Sequence, residues 1–114
     1  MKYTPVKEFR DGSLQGYVTE PVTYSTLVKL FGKPDNGDNY KVSTEWSFDF
    51  EDGLNARIYD WKQSDLYEEG AYPVGVIRSD GYAEIQWHIG GTDPVVVDRV
   101  NEIIRNALDD QDSV

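Results

Sequence analysis

The residues equipped for chemistry are few: one histidine, His88, and no cysteine in 114 residues. Acid-base or nucleophilic work needs a second group held against the first, such as a thiol or hydroxyl beside an imidazole. With one imidazole and no thiol, Cys–His pairs and thiolate metal sites are excluded. A single strand histidine is ordinarily a surface or hydrogen-bonded residue, so no catalytic residue is assigned. Carboxylates are abundant by contrast, 21 against 11 basic groups. They gather at Glu45, Asp49, Glu51 and Asp52, at Asp60 and Asp65, at Glu68 and Glu69, and at Asp109, Asp110 and Asp112. Paired acids can serve glycoside hydrolysis or hold a divalent ion, but such clusters arise by chance in so acidic a chain. Asp35-Asn36-Gly37-Asp38-Asn39 resembles a calcium loop in composition only, because the D-x-[DN]-x-[DN]-G order and the distal glutamate are missing. Gly90-Gly91-Thr92-Asp93 has the outline of a phosphate-cradling turn. Asp93, however, would cap the free amides and place a negative charge where an anion should sit. No metal and no cofactor is expected.

What remains is a sheet face. Over residues 44–50, Trp46, Phe48 and Phe50 alternate with Glu45, Ser47 and Asp49, the two-residue period of a half-buried strand. Residues 54–61 return. A loop of Asp52-Gly53 alone would set Phe48 opposite Arg57, mixing core with charge. A Glu51-Asp52-Gly53 loop, with the glycine left-handed, pairs Phe50 with Leu54, Phe48 with Ala56 and Trp46 with Ile58. Only the second register gathers the apolar residues on one face, so it is the one expected. The other face then carries Glu45, Arg57, Tyr59 and Trp61, and His88, pointing away from Trp87 on a later strand, joins them. Rings beside an arginine can stack on a base or anchor a protein hot spot. These five residues form a candidate binding face, unless the N-terminal segment or residues 63–71 cover it. Asp49, Glu51, Asp52, Asp65, Glu68 and Glu69 form a candidate acidic surface.

The elements that must position these residues are read as follows. Strands at 6–9 and 14–19 are expected to form a hairpin around Asp11-Gly12. Thr23 caps a short helix over 24–31, with Tyr24, Leu27, Val28 and Phe31 on one side; Gly32 closes it and Pro34 prevents continuation. Residues 35–39 are a loop and 63–71 an exposed excursion. Residues 73–78 and 82–89 are expected to pair through Ser79-Asp80-Gly81, with Gly90-Gly91 ending the strand. Thr92 or Asp93 caps a last helix with Pro94 in its first turn. Val96, Val100, Ile103, Ile104, Ala107 and Leu108 give that helix one apolar stripe, and the tail from Asp109 is expected to fray. The fold class is therefore α+β in a single domain over 1–114. It comprises an antiparallel sheet of four or five strands, a short helix near 24–31, and a longer C-terminal helix near 94–108 packed on one face.

The totals agree with one domain. Three Trp, eight Tyr and four Phe supply large buried area where aliphatic residues are scarce. The net charge of −10 repels nucleic-acid phosphates and anionic lipid and favours basic protein surfaces. Met1 to Arg10 has no apolar signal region, and the longest apolar run is Val95-Val96-Val97, so no bilayer span and a cytoplasmic location are expected.

The set Leu27 to Pro34 (LVKLFGKP), Glu45-Trp46, Ala56 to Lys62 (ARIYDWK) and Trp87 to Gly91 (WHIGG) resembles a group of small proteins of tailed bacteriophages. Their shared pattern is an L-x-x-x-F-G-x-P helix, an E-W strand, an acidic D-G turn, an I-Y-D-[YW]-K strand and a W-x-I-G-G turn before a last helix. The resemblance covers about residues 24–108 and brings no assigned activity; the segment between Lys62 and Gly81 is longer than the pattern requires. It implies a phage protein acting in the host cytoplasm. Two expectations follow. In the first, a non-enzymatic acidic protein inhibits a host protein or defence system by docking on its basic surface. In the second, a nucleotide binder or sponge uses Arg57, Tyr59, Trp61 and His88. Direct nucleic-acid binding is not expected.

Overall fold

A computed structural model describes residues 1–7 and 12–112. Among them lie β1 (Tyr3–Val6), β2 (Ser13–Tyr17), α1 (Tyr24–Phe31), β3 (Val42–Phe50), β4 (Asn55–Trp61), α2 (Val74–Ile77), β5 (Trp87–Gly91) and α3 (Val95–Asp112). The chain is α+β: one antiparallel sheet of five strands in the order β1-β3-β4-β5-β2, with a short helix and a longer C-terminal helix.

The β3–β4 hairpin adopts the register that collects its apolar residues. Trp46 faces Ile58 and Phe48 faces Ala56, while the Phe50 amide donates to the Leu54 carbonyl at 2.8 Å. Gly53 closes the turn at φ 90°, a left-handed conformation costly for any residue with a Cβ. Trp46, Phe48, Phe50, Ala56, Ile58, Trp87 and Ile89 thus share one face, and Leu27, Phe31, Val96, Val100 and Ile104 of the helices pack on it. Each of the larger aliphatic and phenylalanine side chains among them contributes about 1.5–3 kcal/mol on full burial. Polar ties fix the packing. The Trp46 indole N–H donates to the Gly32 carbonyl at 2.8 Å, and the Tyr3 hydroxyl donates to the Leu30 carbonyl at 2.9 Å.

Both helix starts are capped as the residue types predict. Thr23 Oγ1 accepts from the Thr26 amide, and Asp93 Oδ1 accepts from the Val95 amide. α3 continues beyond the expected end and runs to Asp112 rather than fraying from Asp109.

Among the described residues, two expected hairpins do not form. β1 and β2 lie on opposite edges of the sheet, β1 beside β3 and β2 beside β5. The reason is side-chain packing at each edge. Tyr3 inserts among Phe31, Phe48 and Phe50, and β2 is held by Asn101 of α3, which accepts from the Thr19 amide and donates to the Tyr17 carbonyl. Of the first expected hairpin, the end of the strand over 6–9 and Asp11 of its turn fall within residues 8–11, which lie outside the described residues. The second hairpin is replaced by α2, a single helical turn after Pro73. Ile77 is buried there, and Asp80, expected in a β-turn, accepts from the Ser25 amide and hydroxyl at the start of α1. β5 begins only at Trp87, and it ends with Gly90-Gly91 as its last two residues. α3 passes close over Gly91, since a Cβ there would stand 2.9 Å from Val96.

β3 carries an irregularity between Val42, opposite Trp61, and Glu45, opposite Tyr59. Ser43 and Thr44 together oppose Asp60, a β-bulge that leaves two amides without ladder partners. The fully buried Asp60 carboxylate takes both, at 2.8 and 2.9 Å, and accepts the Ser43 hydroxyl as well. Arg78 locks the far side through the Thr44 hydroxyl and the Ser43 carbonyl. Burial pushes the Asp60 carboxyl above its ordinary range despite these donors. Removing the side chain strands three donors, so Asp60→Ala is expected to cost about 3 kcal/mol in urea unfolding. Asp60→Asn keeps an acceptor for the two amides and should cost less. An acid whose folded pKa is raised binds its proton more tightly when folded. Its contribution is therefore whole below the unfolded value of about 3.9 and is lost as pH rises through the folded one. Asn cannot ionise, so the stability gap between wild type and Asp60→Asn should narrow as pH rises from about 4; a gap that widens would contradict this assignment.

Candidate binding face of the sheet

Opposite the core, the structure brings together all five residues of the expected face. Arg57 Nε and a terminal nitrogen both approach Glu45 Oε2 at 2.7 Å. The same guanidinium lies 4.1 Å from the Tyr59 ring centre. Tyr59 touches His88 at 5.4 Å and Trp61 at 6.3 Å between ring centres. His88 Nδ1 is bonded to the Gln86 carbonyl at 3.0 Å, which orients the imidazole. Tyr59 and His88 form a floor, 7% and 9% exposed, while Trp61 stands 38% exposed at the rim.

Residues the sequence did not single out complete the site. Leu14 and Tyr17 of β2 join Tyr59, Trp61 and His88 around a cavity of about 430 Å³. Tyr17 meets the His88 ring at 4.8 Å. Residues 14 and 17, three apart, should point to opposite faces of a regular strand. A register shift between Leu14 and Gly16 places Leu14 opposite Gly90 and Tyr17 opposite His88, and so puts both on one face. Gly16 permits this, because a Cβ there would stand 2.9 Å from Val97 of α3. The isolated glycine in the strand pattern was the available signal.

Lys41 and Lys62 also reach the site. Their ammonium groups lie 5.8 and 5.3 Å from the Trp61 ring centre. Lys62 lies 5.3 Å from the Tyr67 ring as well, and Tyr67 meets Tyr40 at 5.2 Å. The strand pair extends one step through the Lys62 amide and Lys41 carbonyl, 2.7 Å apart.

Burial pushes the Tyr59 phenol up, only partly offset by Arg57, so it remains a neutral hydroxyl at physiological pH. The lining is thus apolar and aromatic with a few hydrogen-bonding groups, the pattern of a small-molecule site, and its volume falls within the usual range of about 300–1,000 Å³. Among the described residues, no group of three or more His, Asp or Glu could hold a metal. No described helix is long and apolar enough to cross a membrane.

The expected acidic surface is divided and partly spent. Asp52 forms a two-point pair with Arg99 at 2.7 and 3.0 Å, and that guanidinium holds its carboxyl below the usual value. Asp49 accepts from the Asn55 amide nitrogen at 2.9 Å, and Glu45 is committed to Arg57. Glu51, Asp65, Glu68 and Glu69 remain exposed. Glu51 and Asp52 sit at the hairpin turn, whereas Asp65, Glu68 and Glu69 follow the Trp61 end, so the length of β4, about 20 Å, separates them. The 63–72 segment is a closed loop, its ends joined by the Ser64–Tyr72 bridge and the Asp65 amide bond to the Tyr72 carbonyl. A larger groove of about 590 Å³ lies between residues 18–24 and 77–87. Two acids on its rim already serve the fold, Asp80 with Ser25 and Glu20 with Arg105.

Comparisons of the chain with protein-family models, curated proteins and solved structures found no match.

The two tryptophans on opposite faces of the hairpin should respond differently to truncation. Trp46→Ala empties the core and is expected to cost about 3–5 kcal/mol. Trp61→Ala, at the rim, should cost less than about 1 kcal/mol. Urea unfolding of both variants checks the assignment of faces, and comparable losses would contradict it.

Proposed function

We propose that this chain is a non-enzymatic binding protein whose ring-bearing sheet face takes a planar, ring-containing small molecule. The cavity bounded by Leu14, Tyr17, Tyr59, Trp61 and His88 carries this reading. Three of its five walls are large aromatic rings able to pack against a flat ligand, and base–aromatic stacking contributes about 1–3 kcal/mol per stacked base. Tyr59 keeps its hydroxyl as a neutral donor, and the imidazole is already oriented by the Gln86 carbonyl. Preorganised groups lower the ordering cost of binding.

The chemistry for catalysis is thin by comparison. The neighbours of His88 are rings, and its Nδ1 is engaged by a main-chain carbonyl. General acid-base work needs a partner within hydrogen-bond reach of the substrate proton.

A second reading is inhibition of a host protein through a basic surface on that partner, in the phage setting that the sequence resemblance suggests. The exposed Asp65, Glu68 and Glu69 beside half-exposed Leu66 favour it, since a charged rim around apolar residues is usual in interfaces. Pairing of Asp52, Asp49 and Glu45 within the fold weakens it, because those acids already have partners.

Thermal-shift and tryptophan-fluorescence titrations against free bases, nucleosides and nucleotides test the ligand reading. A ligand at about 100 times its Kd should stabilise the fold by about 2.7 kcal/mol, and Trp61→Ala should abolish the shift. A flat response across the panel would sink it. The second reading instead expects a complex with a basic protein that weakens steeply with salt and on Glu68→Gln with Glu69→Gln.

A further inference from the structure

We infer that the ligand of the ring-bearing face carries a phosphate or equivalent oxyanion, seated by Lys41 and Lys62, so that a mononucleotide is preferred to its nucleoside. This deepens the small-molecule reading above and rests on it.

The distribution of positive charge is the observation that carries the inference. The protein has ten more acids than bases, and the described arginines are committed to the fold. Arg57 pairs with Glu45, Arg99 with Asp52 and Arg105 with Glu20, and Arg78 bonds to Thr44, Ser43 and Asn36. Lys41 and Lys62 differ. Among the described residues, neither ammonium has a carboxylate within ion-pairing distance. Unpaired lysines are common on surfaces, but these two converge on one indole, and that indole walls the cavity.

The backbone makes the convergence specific. Lys62 adopts φ 60°, left-handed and unfavourable for a residue with a Cβ. Glycine or asparagine would fit that conformation more easily, yet the position carries a long cation placed between Trp61 and Tyr67. The Lys62 amide and Lys41 carbonyl are bonded at 2.7 Å, which holds the two stems side by side. Each ammonium hangs on a flexible chain and can exchange the indole face for a phosphate oxygen, a stronger charge-assisted contact.

Size and charge favour a mononucleotide over a strand. The cavity of about 430 Å³ suits one ring system. A single phosphate at the lysines meets local positive charge, whereas an extended polyanion would run along a surface of net charge −10.

Adenosine, AMP and a single-stranded ten-nucleotide DNA serve as probes in fluorescence or calorimetric titrations at low and moderate salt. AMP should bind about tenfold more tightly than adenosine at low salt, with the advantage shrinking as salt is added. Lys41→Gln with Lys62→Gly should reduce the ratio of AMP to adenosine affinity to about one. Glycine suits the positive φ, so this variant keeps the fold, which thermal unfolding verifies. Equal affinities in the wild type, or a preference that survives in the variant, would overturn the phosphate seat while leaving the ring surface standing. Tighter binding of the oligonucleotide than of AMP would also overturn it, in favour of a strand-binding face. Failure of all three probes would remove the ring-surface reading, and this inference with it.

Discussion

The structure depends on how tightly the chain turns between Phe50 and Leu54. A residue count in that turn decides which way each side chain of β3 and β4 points, because side chains alternate with a period of two. Gly53 accepts the left-handed conformation that closes the turn, and Trp46, Phe48, Ala56 and Ile58 fall toward the helices. One residue fewer would bring Arg57 opposite Phe48 and divide the core. The same geometry sends Glu45, Arg57, Tyr59 and Trp61 to the far side, so core and candidate site are two consequences of one turn.

Two bulges then adjust a sheet that would otherwise be regular. At Ser43-Thr44 the extra residue exposes two amides in a buried place, and Asp60 satisfies them at the cost of desolvating its own carboxylate. At Leu14–Gly16 the shift turns two side chains spaced by three onto one face, and the close approach of α3 requires a glycine. The first bulge leaves Val42 opposite Trp61 at the end where Lys41 and Lys62 meet the indole; the second brings Tyr17 against His88. Both irregularities therefore help to shape the ring-bearing face, consistent with the tendency of bulges to re-aim side chains near functional sites.

The charge balance gains meaning only with positions attached. A total of −10 suggests one broad negative surface, but several acids are absorbed by arginines, by an asparagine, or by backbone amides. Of the acids expected to form one surface, those left exposed fall at opposite ends of β4. At the rings themselves the nearest unpaired charges are two lysine ammonium groups, 5.8 and 5.3 Å from the Trp61 ring centre.

The sequence alone determined what short-range pattern can determine. The alternation in β3, the turn chemistry at Glu51-Asp52-Gly53, the Thr23 cap and the apolar stripe of α3 each depend on neighbours a few residues apart. Thus α1, α3, the central hairpin and the membership of Glu45, Arg57, Tyr59, Trp61 and His88 on one face were legible. Only tertiary structure decided which edges β1 and β2 occupy, because adjacency in sequence favours a hairpin until Tyr3 and Asn101 find distant partners. It likewise decided that residues 74–77 coil into a helical turn, where burial of Ile77 outweighs the β-propensity of Val and Ile. Leu14, Tyr17, Lys41 and Lys62 entered the site by strand order, a bulge and a left-handed residue. None of these leaves a periodic trace, since each is set by contacts between segments far apart along the chain.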